Sequence, residues 1–263
     1  MPAHSPPGLV PALENAVAIV EFLNRTPPHD ASLVEISGAL EISKSHAHSI
    51  LKTLTHYGWL KFDNRSKSYR LYSGILSSAS AVWRNPSLDI IRDRLAILPS
   101  VVEAPCTLAQ PQQDGSFVLM HRVNAARMEV ALPIGHRYPR DAPAHMRAYL
   151  AWQPQEKIEA WMRDWRPIAY SPSTILTPEA LLAEIEATRR RGYARSVGEF
   201  TAGLMGLALP VFNREGEIEF IVSCASLVPL IGPIEGKVAA EMISAVVDVH
   251  RATLARFPAD FHH

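Results

Sequence analysis

The segment 43-SKSHAHSILKTLT-55 decides the fold of the N-terminal part of the chain. Its apolar residues recur at the spacing of one helix face, and Ser43 stands where it can cap the first turn. The other faces carry hydroxyl, imidazole and ammonium groups, from Ser45, His46, His48, Ser49, Lys52, Thr53 and His56. Such a helix suits a groove rich in hydrogen-bond acceptors, although an ordinary solvated surface helix has the same pattern.

Charge is distributed unevenly around this segment. The whole chain has no net charge, with 26 basic and 26 acidic residues. Residues 9–42 contain one basic residue and five acidic ones, whereas residues 43–72 contain six basic residues and only Asp63 as an acid. A basic stretch this dense is the electrostatic footprint of a phosphate-binding face.

The neighbouring elements predict a winged helix-turn-helix over residues 9–72. Leu13–Asn24 has a helical apolar stripe, and Ser32 caps a second short helix that ends three residues before the third. Gly58 fits a helix stop, and residues 59–62 and 69–72 are predicted as two strands around a basic turn, which makes a two-stranded wing. The candidate DNA contacts are Lys44, Ser45, His46, His48, Ser49, Lys52, Arg65, Lys67 and Arg70. Residues 1–8 are predicted to be a disordered, Pro-rich tail.

The rest of the chain predicts a second domain. Residues 73–84 are expected to form a linker helix, and Asn85-Pro86 marks the boundary of a domain over 85–263. Strands are expected at 105–109, 117–123, 128–132, 204–212 and 218–226, between helices over 141–152, 155–165, 178–190 and 234–254. The fold class is therefore α+β, with an antiparallel sheet whose concave side suits a small ligand.

Composition limits the other classes of function. No apolar run is long enough to span a membrane, and the N-terminus lacks the pattern of a secretory signal, so we expect a cytoplasmic protein. Cys106 and Cys224 have no metal-ligand spacing, and neither a cofactor nor a catalytic residue is predicted. The hydrolase, P-loop and dinucleotide motifs are absent from the sequence. A metal site built from Asp141 and His145, with His121 and His136, remains an alternative.

Several motifs, in order, resemble the IclR family of bacterial transcriptional regulators. Lys44–Leu54 looks like the recognition helix of that family, and Tyr69–Leu71 like the end of its wing. The motifs in the second domain are Gly135–Pro139, Ala148–Ala151, Arg189–Ala194 and the residues Glu199, Gly203, Leu207–Ala208 and Pro210–Val211. The resemblance implies a dimer or tetramer that binds pseudopalindromic operator DNA. It also implies a GAF-like effector domain that senses a small organic acid, including aromatic acids, and dimerisation through the N-terminal domain and residues 73–84.

By the same resemblance, the effector pocket would contain Arg127, Val130, Ala144, His145, Met146, Ser196, Gly206, Ser223 and Ala225. The family often has smaller residues where His145 and Met146 stand, so these two side chains either fill the pocket or stack on a flat ring. Arg127 would then pair with a carboxylate. Two alternatives stay open: His145 is an ordinary packed core residue, or the whole domain no longer senses a ligand. In the recognition helix, His46 and Ser49 stand where the family often has Thr and Arg, which shifts base contacts toward the histidines and Lys52.

Overall fold

The computed structural model describes residues 8–126 and 132–261. The chain forms two compact units, Met1–Asn85 and Pro86–His263, and each is described by itself. Residues 1–7 of the predicted N-terminal tail lie outside the described residues. The same holds for residues 128–131 of the strand predicted over 128–132.

Three helices build the N-terminal unit: α1 (Pro11–Arg25), α2 (Leu33–Ala39) and α3 (Lys44–His56). The predicted caps are confirmed. Ser32 forms a capping box with Glu35, and the Ser43 hydroxyl accepts a hydrogen bond from the His46 amide. Residues 40–42 form the turn between α2 and α3. A helix, a short turn and a second helix give the predicted helix-turn-helix.

The wing belongs to a three-stranded antiparallel sheet. Strands β2 (Leu60–Asp63) and β3 (Ser68–Leu71) form the predicted hairpin, and β1 (Asp30–Ser32) pairs with the other side of β3. The prediction of only two strands was therefore incomplete. Strand β1 is three residues long, which is too short to show the alternation by which a strand is recognised.

The core of this unit is made by the apolar faces of the three helices and the hairpin. The four apolar residues predicted for the back of α3 are all buried. Three of them, Ile50, Leu51 and Leu54, pack in one cluster with Ile19, Leu23, Ile36, Leu60 and Tyr69. The back of α3 is thus fixed by packing, and its other faces are left to solvent.

The segment predicted as one linker helix is helical in two pieces. Helix α4 (Gly74–Ser78) ends at Ala79, and a single 3₁₀ turn follows over Ser80–Trp83. Gly74 lies against the backbone of Gly58, since a Cβ there would approach the Gly58 carbonyl oxygen to 2.3 Å. The apolar side chains of Leu76 and Val82 are exposed. A short helix whose large apolar side chains are left in solvent has little to stabilise it, which explains the break.

The second unit contains a six-stranded antiparallel sheet. Its strands are β4 (Cys106–Pro111), β5 (Phe117–Val123), β6 (Arg137–Tyr138), β7 (Ala194–Val197), β8 (Leu204–Phe212) and β9 (Ile218–Leu227). They lie in the order β6-β5-β4-β9-β8-β7. Four of these strands were predicted within two residues. The short strands β6 and β7 were not.

Helices cover both faces of this sheet. The elements are α5 (Pro86–Leu95), α6 (Leu98–Val102), α7 (Pro143–Leu150), α8 (Gln155–Arg163), α9 (Pro178–Arg191), α10 (Val228–Ile231) and α11 (Glu235–Thr253). Successive residues of a strand face opposite sides, and β9 shows the division. Cys224 Sγ lies 3.2 Å from Met242 Sδ of α11, whereas Ser223 faces His145 of α7. The predicted α+β class is confirmed.

Candidate functional site

One exposed face of the N-terminal unit is basic. On α3, Lys44, His48 and Lys52 are exposed at four-residue spacing, with Ser45 and Ser49 beside them. Ser43 caps the start of the helix, so the positive end of its dipole adds to this charge. Every described residue predicted on α3 as a DNA contact is exposed except His46, which is half-buried.

The hydroxyls along α3 are partly used within the helix. Ser49 Oγ donates to the Ser45 carbonyl at 3.1 Å, and Thr53 Oγ1 donates to the Ser49 carbonyl at 2.9 Å. Because a hydroxyl has one proton, Ser49 offers its lone pairs to an outside partner in this rotamer. The donors left on this part of the surface are the lysines, the imidazoles and one hydroxyl of the Ser43–Ser45 pair, whose oxygens are 3.2 Å apart.

The wing carries the second part of the basic face. Asp63 Oδ1 accepts hydrogen bonds from the Arg65 and Ser66 amides and so shapes the turn. Arg65, Lys67 and Arg70 are exposed as predicted. Lys61 is also exposed and is the register partner of Arg70 across β2 and β3. Lys61 was counted among the basic residues of 43–72 in the sequence. Its position directly opposite Arg70 could be known only from the register of β2 and β3.

A different surface of the same unit is apolar. Leu13 and Val17 of α1 are 65% and 60% exposed. They border an open groove that is also lined by Ile50, Tyr57 and the side of α3 that carries His46, Ser49 and Thr53. His46 therefore lies at the edge between the basic face and this groove.

The second unit contains a cavity of about 280 Å³ between the sheet and α7. Its residues are Pro105, Thr107, Leu132, Tyr138, Ala142, Pro143, Ala144, His145, Ser196, Phe200, Thr201, Leu204, Gly206, Ser223, Cys224 and Ala225. None of the described residues that line it carries a carboxylate, an ammonium or a guanidinium group. Alternation along the strands brings Ser223 and Ala225, and Leu204 and Gly206, to the same side of the sheet.

Four residues form a polar wall of the cavity: Thr107, Tyr138, His145 and Ser223. Thr107 and Ser223 are register partners on β4 and β9, and their hydroxyl oxygens are 2.6 Å apart. Ser223 Oγ lies 3.4 Å from His145 Nε2. The rings of Tyr138 and His145 stack at 4.5 Å with 25° between their planes. The Thr107 hydroxyl lies within hydrogen-bonding reach of the Tyr138 phenol.

Burial sets the protonation of this wall. His145 is 8% exposed, and desolvation lowers its pKa to about 4, so its imidazole is neutral near pH 7. Burial raises the pKa of Tyr138 in turn, so that the phenol keeps its proton. The wall is therefore uncharged.

A buried ion pair holds the loop that closes one side of the cavity. Arg147 of α7 is 1% exposed. One of its guanidinium nitrogens donates to Glu199 Oε1 at 2.8 Å and to the Arg195 carbonyl at 2.7 Å, and the other donates to Glu199 Oε2. Thr174 Oγ1 donates to the Glu199 carbonyl at 2.7 Å. Phe200 and Thr201, which follow Glu199, line the cavity.

Most of the predicted pocket residues meet in this cavity. Ala144, His145, Ser196, Gly206, Ser223 and Ala225 line it, but Met146 does not. Met146 is one position further around α7 and contacts a separate small cleft beside Asp141 and Trp165. Arg127 and Val130 lie outside the described residues. His145 packs on the ring of Tyr138 and lies beside Ser223, as the alternative of a packed, hydrogen-bonded residue describes, and its stacking on the ring of a ligand stays a prediction.

Sequence reasoning missed Thr107, Tyr138, Phe200 and Thr201, and the role of Arg147. Thr107 could be found only from the pairing of β4 with β9. Arg147 did leave a signal, because it is a charged residue between Met146 and Ala148 in a helix that has no carboxylate and no other Lys or Arg.

The alternative metal site lacks support from these side chains. Asp141 accepts hydrogen bonds from the Tyr170 hydroxyl at 2.7 Å and the Ile168 amide at 3.2 Å, while His145 faces the polar wall. Among residues 8–126 and 132–261, no group of three or more His, Cys, Asp or Glu side chains is close enough together to hold a metal ion. No helix in the described part of the chain is long and apolar enough to cross a bilayer.

Comparison with protein families gives two matches. Residues 12–64 match the IclR helix-turn-helix domain, and residues 89–243 match the C-terminal domain of bacterial transcriptional regulators of the IclR type. Together the two matches cover most of the chain.

Curated relatives match along the length of the chain. The chain is 25% identical over 225 residues to the HTH-type transcriptional regulator XynR of Escherichia coli, which covers 83% of this chain and 87% of XynR. It is 26% identical over 249 residues to the glycerol operon regulatory protein of Streptomyces coelicolor, which covers 92% and 94%. These relatives are named as transcriptional regulators and not as enzymes.

Solved structures have the same fold. A regulator from Alicyclobacillus acidocaldarius superposes with a TM-score of 0.83 at 22% identity, over 93% of this chain and 99% of that chain. A homolog from Microbacterium hydrocarbonoxydans that was crystallised with 4-hydroxybenzoate has a TM-score of 0.74 at 19% identity, over 91% and 99%. At these identities the likeness concerns the fold.

Proposed function

We propose that this chain, which belongs to the IclR family of bacterial transcriptional regulators, binds operator DNA in the cytoplasm as a dimer or tetramer and releases or engages it in response to a small organic acid. The observation that carries the DNA-binding part is the basic face, which combines exposed Lys44, His48 and Lys52 on a capped helix with a basic wing. Lysines and arginines that contact phosphates supply affinity, and the side chains of the inserted helix read the bases.

Selection from a random DNA library tests this proposal. The full chain should enrich a pseudopalindrome with half-sites about 10 base pairs apart or a multiple of that distance. His46→Ala should change the preferred bases, because Ser49 stands where the family often has a base-reading Arg and base contacts therefore shift toward the histidines. Lys237→Ala, which removes an exposed lysine from the other unit, should select the wild-type sequence. A selection without enrichment, or an unchanged base preference in His46→Ala together with an unchanged affinity in Lys52→Ala, would show that α3 is not the reading helix.

The apolar surface of α1 is the support for the proposed dimer. Exposed Leu13 and Val17 on α1 border the apolar groove that Ile50 and Tyr57 also line, and Leu76 and Val82 in the segment after the wing are exposed as well. An exposed apolar groove is typical of an association face. Val17→Glu should convert the protein to monomers in sedimentation velocity, whereas Val34→Glu, at an exposed valine on α2, should leave the oligomer intact.

The cavity is the proposed effector site. Its volume is near the lower end of the range of about 300–1,000 Å³ for small-molecule pockets, so it suits a ligand of one ring. Helix α7 begins at the cavity, where the first amides of a helix have no partner within it. Ala144 and His145 thus direct amides and the positive end of the dipole toward a carboxylate. Arg127, which lies outside the described residues, is proposed as a further partner of that group.

Calorimetric titration of the full chain tests the ligand class. We expect 4-hydroxybenzoate, the compound seen with the Microbacterium homolog, to bind more tightly than glyoxylate or pyruvate. Tighter binding of the two small keto acids would contradict a ring-binding cavity. A bound ligand stabilises the folded state and raises the melting temperature. If none of the acids binds and none raises the melting temperature, the result favours the alternative in which this domain does not sense a ligand.

A further inference from the structure

The small cleft that Met146 contacts is lined by two buried N–H donors. Its polar lining residues are Asp141, Arg147, Trp165, Thr174 and Glu199. Arg147 is 1% exposed and Trp165 is 7% exposed. Arg147 Nε and Trp165 Nε1 have no hydrogen-bond partner among the residues that the structure describes. A buried donor without a partner costs free energy, so each of these two groups calls for an acceptor in the cleft.

The cleft has room for a single water molecule. The space open to the centre of a water molecule is about 10 Å³, compared with about 280 Å³ in the cavity beside it. One buried water needs roughly 10–15 Å³ on this measure. An organic acid, a phosphate or a hydrated metal ion is therefore too large for the cleft.

The charges around the cleft favour a neutral occupant. The carboxylates of Asp141 and Glu199 disfavour an anion, and the two N–H groups disfavour a cation. Both carboxylates can still accept hydrogen bonds. Asp141 accepts one at each oxygen, from Tyr170 and Ile168, whereas a carboxylate has about four lone-pair sites. A molecule that accepts from the N–H groups and donates to a carboxylate fits this set, and water does both.

We propose that the cleft binds one ordered water, which accepts hydrogen bonds from Arg147 Nε and Trp165 Nε1 and donates to a carboxylate of the cleft. Buried waters make about three hydrogen bonds to polar groups that are otherwise unsatisfied. The water connects the buried ion pair of Arg147 and Glu199 to the segment that follows α8. It therefore helps to fasten the loop at Glu199, whichever ligand the neighbouring cavity binds.

A high-resolution crystal structure of the full chain tests the water site directly. We expect one solvent peak in the cleft, within about 3.2 Å of Arg147 Nε, Trp165 Nε1 and at least one carboxylate oxygen. A map without that peak would overturn the proposal. A direct hydrogen bond from either N–H group to a carboxylate would overturn it too, as would a peak whose density and distances fit an ion.

Trp165→Phe removes one of the two donors, and Trp152→Phe is the matched control. Both tryptophans are buried, at 7% and 5% exposure, and Trp152 Nε1 also has no partner in the described part of the chain. Trp152 packs on Phe261 and does not line the cleft. The two substitutions delete the same atoms, so the difference between them measures the bond from the Trp165 indole to the water.

Urea unfolding compares the two variants in a Trp59→Phe, Trp83→Phe background. Trp161, which both variants retain, then reports on the C-terminal unit. The unfolding equilibrium constant should increase roughly two- to tenfold more in Trp165→Phe than in Trp152→Phe, as expected for one hydrogen bond. An equal or smaller increase in Trp165→Phe would contradict a water bound by this indole. Neither measurement involves DNA or an effector, so failure of this proposal leaves the proposed function standing.

Discussion

Arg147→Met should destabilise the C-terminal unit strongly. The side chains of Arg147 and Glu199 are only 2% and 10% exposed, and three hydrogen bonds of the guanidinium group are lost in the variant. The carboxylate of Glu199 is then left buried without its counter-charge. Removal of one partner of a buried ion pair costs about 3–5 kcal/mol. For a domain of this size that corresponds to a decrease of roughly 6–20 °C in Tm.

Urea and thermal unfolding measure this loss. The chain has five tryptophans, of which Trp59 and Trp83 lie in the N-terminal unit. A Trp59→Phe, Trp83→Phe background therefore restricts tryptophan fluorescence to the C-terminal unit. Arg190→Met is the matched control, because Arg190 is 68% exposed and pairs with Glu186 on the surface. That pair is worth about 0–1 kcal/mol.

The double variant Arg147→Met, Glu199→Leu separates charge from packing. It removes both charges at once, so its stability should recover to within about 1–2 kcal/mol of the parent. Two results would contradict this reasoning: a loss of stability in Arg147→Met no larger than in Arg190→Met, or a double variant no more stable than Arg147→Met. Either would show that the buried ion pair does not stabilise the loop beside the cavity.

Three further predictions concern the two sites. Lys52→Ala should weaken DNA binding at every sequence and reduce the slope of log K against log salt by about 0.9, as measured by fluorescence anisotropy, while Lys237→Ala should leave the slope unchanged. The pKa of His145 is about 6.5 in the unfolded chain and about 4 in the folded chain. The free energy of unfolding should therefore fall as the pH drops from about 6.5 to about 4, by up to about 3 kcal/mol. His145→Gln should remove that part of the decrease in urea unfolding at pH 4, 5, 6 and 7. Gly206→Ala should fold normally, because its Cβ would meet only contacts of 3.7 and 3.9 Å, yet it should weaken binding of 4-hydroxybenzoate roughly tenfold in calorimetry by filling the cavity.

The helices and caps of the N-terminal unit could be predicted because their signals are local. Ser32, Ser43 and the apolar stripe of α3 lie within a few residues of the elements that they define. Strand β1 could not be predicted, because three extended residues are recognised as a strand only by their pairing with β3. The linker segment was expected to be one helix, and the absence of packing against Leu76 and Val82 explains the break.

The cavity was predicted in outline through the family resemblance, but its polar wall was not. Thr107 and Ser223 are 116 positions apart in sequence, and only the register of β4 and β9 brings their hydroxyls to 2.6 Å. Met146 was assigned to the cavity because it follows His145, yet one step along a helix rotates a side chain by about 100°. Whether a given residue of α7 faces the cavity therefore depends on the rotation of the helix about its axis. That rotation cannot be predicted from the sequence.

We propose that occupancy of the cavity controls DNA binding by the basic face, and operator affinity with and without ligand tests this control most directly. Fluorescence anisotropy with the selected DNA should give a Kd that changes about 5-fold to 150-fold when 4-hydroxybenzoate saturates the full chain. The same titration with Gly206→Leu, which fills the cavity, should show no change. An operator Kd that is the same with and without saturating ligand, or a change that persists in Gly206→Leu, would contradict the account.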